Sequence, residues 1–142
     1  MKKRVLALLA AVLCAAVLIT ALWCTPEQRT LRWFARNQAE LTQDAFSACA
    51  GAPLRSTGRV SANYWDGEHP IVEYIVVSRG IVPASSYCGV FYSPDDVPAS
   101  FQNSGETLSP VSDIEWTWQG DGDNRGLVRA LGDHWFYFEA RL

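Results

Sequence analysis

The sequence predicts an α+β protein in which an N-terminal transmembrane helix precedes one amphipathic helix packed on an antiparallel sheet of about five or six strands. Three observations predict this fold. Residues 5–24 form an apolar run, apolar residues then recur every three or four positions up to residue 49, and the period falls to two from residue 56 onward. The length of 142 residues fits a single domain.

The boundary of that domain is predicted at residue 24. Residues 1–24 are then a basic cytoplasmic tail and a signal anchor, and residues 25–142 are an extracytoplasmic α+β domain. Within the domain we expect the helix at about 26–50 and the strands within about 57–141.

The anchor is predicted from the length of the apolar run. Residues 5–24, apolar except for Thr20, span about 30 Å as a helix, which is the thickness of the hydrocarbon core. The cations of Lys2, Lys3 and Arg4 favour a cytoplasmic N-terminus, and a long following domain is translocated. The sequence thus predicts a single-pass protein of the cell membrane. A cleaved signal peptide or a lipoprotein signal remains an alternative.

The amphipathic helix has a start signal and a stop signal. Thr25 is a suitable N-cap, Pro26 suits the first helical position, and Gln28 completes a capping box. Gly51 and Pro53 end the helix. The polar face carries three arginines, which are interpreted either as a solvated surface or as contacts with anionic lipid headgroups: Arg29, Arg32 and Arg36.

The strands follow from alternation and from turn residues. Asp66 and Gly67 predict a turn within a hairpin. Residues 94–112 contain three prolines and predict a surface loop. The predicted strands are residues 59–65, 70–78, 87–93, 113–119, 127–131 and 134–141.

Composition excludes several classes of function. Beyond residue 24 the chain has nine arginines, fifteen carboxylates and no lysine, a formal net charge of −6. A phosphate-binding P-loop and a Schiff-base enzyme both need a lysine. An acidic domain also argues against a nucleic-acid partner, because binding to phosphates needs basic patches.

No catalytic, cofactor-binding or metal-binding residue is predicted. Residues 120–126 resemble a calcium loop, but Arg125 and Gly132 stand where that loop needs oxygen ligands, so a tight turn is the preferred interpretation. The histidines, His69 and His134, lie in or near predicted turns without metal-ligand spacing. A small hydrolase that uses His134 with a nearby carboxylate remains an alternative function.

Two cysteines of the domain offer a testable cross-link. Cys49 lies at the end of the predicted helix and Cys88 in a predicted strand. An oxidising compartment permits a disulfide between them, which would attach helix to sheet. The alternative is that both are buried free thiols.

Aromatic residues provide the remaining functional hint. If Phe136 and Phe138 face the helix, Trp135 and Tyr137 lie on the opposite side of the sheet, where they could contact a protein partner or a glycan. Alternatively, residues 94–112 fold over that face. The sequence therefore predicts a non-enzymatic binding or assembly module. The alternatives are the hydrolase and a subunit of a membrane complex that acts through its anchor helix.

Overall fold

A computed structural model describes residues 12–14, 25–55, 60–81 and 84–142. It confirms an α+β fold in which one helix packs on an antiparallel sheet. Residues 12–14 are helical, whereas the rest of the predicted anchor, residues 5–24, lies outside the described residues. Among the described residues, no helix is long and apolar enough to cross a membrane.

The helix, α1 (Pro26–Cys49), begins and ends as its sequence signals predict. The Gln28 backbone N–H donates to Thr25 Oγ1 at 3.1 Å, and the Thr25 N–H donates to Gln28 Oε1 at 3.4 Å, which confirms the capping box. After the C-cap, Gly51 adopts a φ of 92°, a left-handed conformation that glycine takes readily.

The sheet has seven strands in the order β1-β2-β3-β7-β6-β5-β4, with antiparallel pairing throughout. The strands are β1 (Ser61–Trp65), β2 (Ile71–Ile81), β3 (Ala84–Tyr92), β4 (Ser109–Ser112), β5 (Glu115–Gln119), β6 (Arg125–Gly132) and β7 (Trp135–Arg141).

The prediction of five or six strands is therefore wrong: the sheet has a seventh strand, β4, which the sequence did not predict. This strand lies inside the segment predicted to be a loop. All four of its residues are exposed, and its pairing with β5 is irregular between Pro110 and Ser112. A fully solvated edge strand that contains a proline has no apolar alternation from which it could be predicted.

Each face of the sheet carries its own apolar core. On one face α1 lies mainly over β2 and β3. On the opposite face, residues 93–108 cross the sheet as an irregular loop with a 3-10 turn at Phe101–Asn103. Phe101 of that turn packs against Tyr87 and Phe138, at ring-centroid distances of 5.1 and 5.6 Å. The segment thus covers the face away from the helix, as the alternative predicts, but this face carries Phe136 and Phe138 rather than Trp135 and Tyr137, and residues 109–112 form β4.

The predicted orientation of β7 is reversed. Trp135 and Tyr137 lie on the α1 face and are 1% and 0% exposed, whereas Phe136 and Phe138 belong to the opposite core. The Trp135 indole N–H donates to Thr42 Oγ1 of the helix at 3.1 Å. Because both faces of β7 are covered, its consecutive aromatic residues contain no polar position that would distinguish inside from outside.

The direction of α1 defines two ends of the sheet. Its first turn lies beside Cys88 and Arg141, and we call this the proximal end. The last turn lies towards Tyr92 and the turns that follow β1, β3, β4 and β6, which form the distal end. The Arg129 guanidinium forms an ion pair with Glu27 and lies 5.2 Å from the ring centroid of Tyr137, so the first turn is attached directly to the sheet.

Candidate functional site

The candidate site with the most convergent polar groups is a cleft on the face opposite α1, between the β1–β2 turn and the covering loop. We call it the loop cleft; its volume is about 420 Å³. Its walls combine apolar side chains, among them Val97, Pro98 and Leu108, with the polar residues His69 and Asn103. An apolar cleft with a few convergent polar groups is the usual form of a ligand site.

Short polar side chains hold the covering loop in shape. Ser93 is fully buried, and its Oγ accepts the Val97 backbone N–H at 3.1 Å. Ser100 Oγ accepts the Glu106 N–H at 3.3 Å and lies 3.1 Å from Ser104 Oγ. These hydroxyls satisfy backbone groups that a loop cannot pair within a sheet.

The loop is also attached to the β1–β2 turn. Asn103 Nδ2 donates to the carbonyl oxygens of Asp66 at 3.3 Å and His69 at 3.1 Å. Asp96, Gln102 and Asn103 have φ values of 56°, 56° and 51°. A non-glycine residue in this region costs of order 1 kcal/mol, a strain that is concentrated at functional sites more often than elsewhere.

A carboxyl group is buried behind the cleft. Glu73 is 0% exposed, and its Oε2 accepts the Gln102 backbone N–H at 2.9 Å. Burial raises the pKa of Glu73 to about 7, although the Gln102 N–H and the nearby Trp65 indole oppose the shift. Among the described residues, neither Glu73 Oε1 nor Trp65 Nε1 has a hydrogen-bond partner of good geometry. The strained part of the loop therefore closes over an incompletely satisfied carboxyl group.

The rim of the cleft carries a hydrogen-bonded pair of side chains, since His69 Nδ1 lies 3.1 Å from Asp95 Oδ2. Both side chains are about half exposed, at 44% and 48%. An imidazole oriented by a carboxylate can accept or donate a proton. Within the described part of the chain no hydroxyl or thiol lies within hydrogen-bond distance of His69, so the pair lacks the nucleophile of a catalytic triad.

His134, the residue of the hydrolase alternative, lies elsewhere. It is exposed in the β6–β7 turn, where its φ is 67° and its ring lies 5.8 Å from that of Tyr92. No carboxylate of the described residues forms an ion pair with it. Its place in the structure is that of a turn residue.

The two cysteines of the predicted disulfide lie at opposite ends of α1. Cys88 is buried near Glu27 at the proximal end, whereas Cys49 ends the helix, and both are free thiols. Burial is the main cause that raises the pKa of each thiol. The rise of α1 between residues 27 and 49 is roughly 33 Å, so the disulfide prediction is wrong. Sequence alone did not indicate that Cys88 lies under the first turn rather than the last.

The other residues that the sequence singled out lie on the outer face of α1, in the β5–β6 turn and on β7. Arg29, Arg32 and Arg36 are exposed on the outer face of α1, where contact with headgroups stays a prediction. Residues 120–124 form the β5–β6 turn, with the Gly120 N–H donating to the Asn124 carbonyl at 2.9 Å, which confirms the turn interpretation. Trp135 and Tyr137, buried beneath α1, are not available to a partner or a glycan.

Sequence reasoning missed Glu73 and the His69–Asp95 pair. A signal existed for Glu73, which is the only charge in residues 70–78, an otherwise apolar strand segment. The pairing of His69 with Asp95 joins two turns 26 positions apart and has no local signature. Comparisons of the chain with protein-family models, with curated proteins and with solved structures found no match.

Proposed function

We propose that the protein is a single-pass membrane protein whose extracytoplasmic domain is a non-enzymatic binding module, and that the loop cleft is its ligand site. One observation carries this proposal: the apolar run of residues 5–24 is followed at once by the capped start of α1, and the cleft wall formed by the β1–β2 turn lies at the other end of the sheet. The wall formed by that turn therefore lies at the end of the sheet away from the proposed anchor, where a partner can reach it.

The attachment of α1 supports a module held in a fixed orientation. Thr25 caps the helix one residue after the apolar run, and Glu27 is paired with Arg129 of the sheet. Tyr74 Oη donates to Asp44 Oδ2 at 3.0 Å farther along the helix. An anchor joined to the domain without a linker transmits its own orientation to the cleft.

The charge around the loop cleft favours one class of ligand. Asp66, Glu68 and Glu106 line it, and Asp95 stands at its rim beside His69. Together with the apolar wall, these carboxylates suit a protein segment that carries a basic residue beside an apolar one. Among the described residues, no hydroxyl or thiol is hydrogen-bonded to His69, which favours a role in binding over one in catalysis.

The anchor and the module are tested separately. In intact cells, the thiol introduced by Glu68→Cys in the exposed β1–β2 turn is expected to react with a membrane-impermeant maleimide, as read by mass spectrometry of that peptide. The chain is also expected to stay in the membrane after alkaline carbonate washing. Reaction only after lysis, or release by carbonate, would contradict the anchored topology.

The ligand site is tested by photocrosslinking in the same cells. A photoreactive amino acid at Val97, which lines the cleft, is expected to give an adduct that Asp66→Asn with Asp95→Asn abolishes. The matched control is Gln119, exposed near the opposite end. Equal adducts at the two positions would argue against the cleft. Exchange of residues 5–24 for an unrelated apolar helix should leave the adduct intact, which separates the module from a subunit that acts through its anchor.

A further inference from the structure

Three arginines form a row across the proximal end of the sheet. The strand register places Arg79 of β2 opposite Ser86, Ser86 opposite Arg141, and Arg141 opposite Arg125 of β6. Directly opposed residues point to the same face, here the face that carries α1. The row spans three strand spacings, or roughly 14 Å.

These guanidinium groups have no carboxylate partner within 4 Å among the described residues. Two carboxylates lie beside the row: Glu27, which pairs with Arg129, and Glu139, which accepts the hydroxyl of Tyr137 at 2.7 Å. Arg79 and Arg141 line a cavity of about 450 Å³ beside the first turn of α1. Glu27 and Glu139 line the same cavity, but Glu27 is paired with Arg129, so the arginines of the row outnumber the one remaining carboxylate.

Arg125, at the β6 end of the row, has acidic neighbours. Asp121 and Asp123 lie in the β5–β6 turn, adjacent to Arg125. They offset part of its charge, so Arg79 and Arg141 are the stronger anion-binding pair.

Exposed apolar side chains accompany the arginines. Ile81, at the tip of the β2–β3 hairpin, is 87% exposed. Leu142 is 37% exposed and is hydrogen-bonded to Ser85 in both directions, at 2.8 and 2.9 Å, which places it beside the same hairpin. Apolar tips flanked by guanidinium groups are typical of surfaces that rest in the interfacial layer of a membrane.

We propose that the proximal end docks on an anionic bilayer surface, with Arg79 and Arg141, assisted by Arg125, binding lipid phosphates and Ile81 entering the interface. The occupant is the leaflet from which the anchor emerges, because Thr25 follows the apolar run directly. The inference rests on the proposed anchor and deepens it. This surface is distinct from Arg32 and Arg36, which lie farther along the outer face of α1.

The test places a genetically encoded fluorescent amino acid at Ile81 in the full chain, reconstituted into vesicles that contain brominated phosphatidylcholine with or without phosphatidylglycerol. Bromine quenches a fluorophore that reaches the acyl boundary. The matched control position is Ile114, which is 54% exposed at the distal end. We expect several-fold stronger quenching at position 81 than at position 114, and only when phosphatidylglycerol is present.

Charge reversal supplies the second arm. Arg79→Gln with Arg141→Glu is expected to abolish quenching at position 81, whereas Gln43→Glu with Arg55→Glu, which makes the same change in charge at exposed positions outside the row and apart from the predicted headgroup contacts, should leave it in place. Circular dichroism verifies that each variant folds. Equal quenching at positions 81 and 114, equal quenching in neutral and anionic vesicles, or an equal effect of the two double variants overturns the inference.

Carbonate washing of the same vesicles keeps the two proposals apart. A retained chain with an unquenched fluorophore overturns the docking surface alone. A chain that is released by carbonate, yet was quenched at position 81 beforehand, overturns the anchor and supports the surface.

Discussion

Among single residues, Glu73 has the clearest effect on the protein, because its carboxyl group is buried and prefers to be protonated. Its carboxyl group is fully buried, and the Gln102 N–H is the hydrogen bond that it keeps. Folding favours the protonated form because desolvation penalises the charge. The sequence shows the isolated charge in β2, but its burial depends on a loop that begins some twenty residues later.

The pH dependence of stability follows from that group. The pKa of Glu73 is raised from its ordinary value of 4.5 to about 7, so the unfolded chain loses the proton first as the pH rises. Stability that is present below pH 4.5 is therefore lost as the pH rises towards about 7. In the unaltered protein, the free energy of unfolding should be roughly 3 kcal/mol higher at pH 4 than at pH 8 because of this group, and we expect Glu73→Gln to remove that difference. Urea unfolding of the two proteins at both values measures it.

The matched control for this measurement is Glu68→Gln, in the exposed β1–β2 turn. It should retain the pH dependence of the unaltered protein. A Glu73→Gln protein that still loses the same stability on raising the pH would show that other groups cause the effect.

A second prediction at this scale concerns Gly89 of β3. A Cβ at this position would overlap the carbonyl oxygen of Tyr74 and lie 2.6 Å from the ring of Phe138. Backbone cannot give way as a side-chain tip can, so we expect Gly89→Ala to lower the free energy of unfolding by about 3 kcal/mol. Thermal unfolding measures the loss, with Ser86→Ala on the same strand as the control. Equal melting temperatures for the two variants would mean that the strand relaxes freely.

At the scale of elements, the sequence predicted α1 almost to the residue but reversed the orientation of β7. The helix carries its own boundary signals in Thr25, Gln28 and Gly51. The faces of β7 are both apolar, so its orientation depends on which partner covers which side. That choice is made by tertiary contacts such as the Thr42–Trp135 hydrogen bond.

This hydrogen bond gives the element-scale prediction. Thr42→Val keeps the shape of the side chain but leaves the buried Trp135 indole N–H without its acceptor. An unsatisfied buried donor costs of order 2 kcal/mol. We expect that loss in urea unfolding, together with a change in near-ultraviolet circular dichroism. Thr107→Val, at an exposed loop position, should change neither.

At the scale of the whole molecule, the two ends of the sheet differ in chemistry. The distal turns carry six carboxylates, those of Asp66, Glu68, Asp95, Asp96, Asp113 and Asp133. The proximal end carries the arginine row. No part of this separation, nor the loop cleft, was predictable from the sequence, since each joins residues from turns that are distant along the chain. What the sequence did predict was one helix on an antiparallel sheet and most of the turns, but not the β4–β5 turn, whose Asp113 it assigned to a strand.

The length of α1 also keeps Cys49 and Cys88 too far apart to form a disulfide. Because Cys49 and Cys88 lie at opposite ends of the helix, we expect both to react with iodoacetamide after unfolding without reductant. Peptide mass spectrometry before and after reduction measures this. Detection of a peptide that links the two cysteines would contradict the arrangement of α1 on the sheet.

The placement of α1 over β2 and β3 has a consequence for the order in which the domain opens. Strands β2, β3 and β7 are covered on both faces, whereas β4 is exposed along its whole length and forms an edge. Local opening starts where few apolar contacts oppose it. Amide hydrogen exchange should therefore be fastest in β4 and slowest in β3, with intermediate rates in the strands between them. The β4–β5 hairpin would open locally while the strands beneath the helix keep their hydrogen bonds.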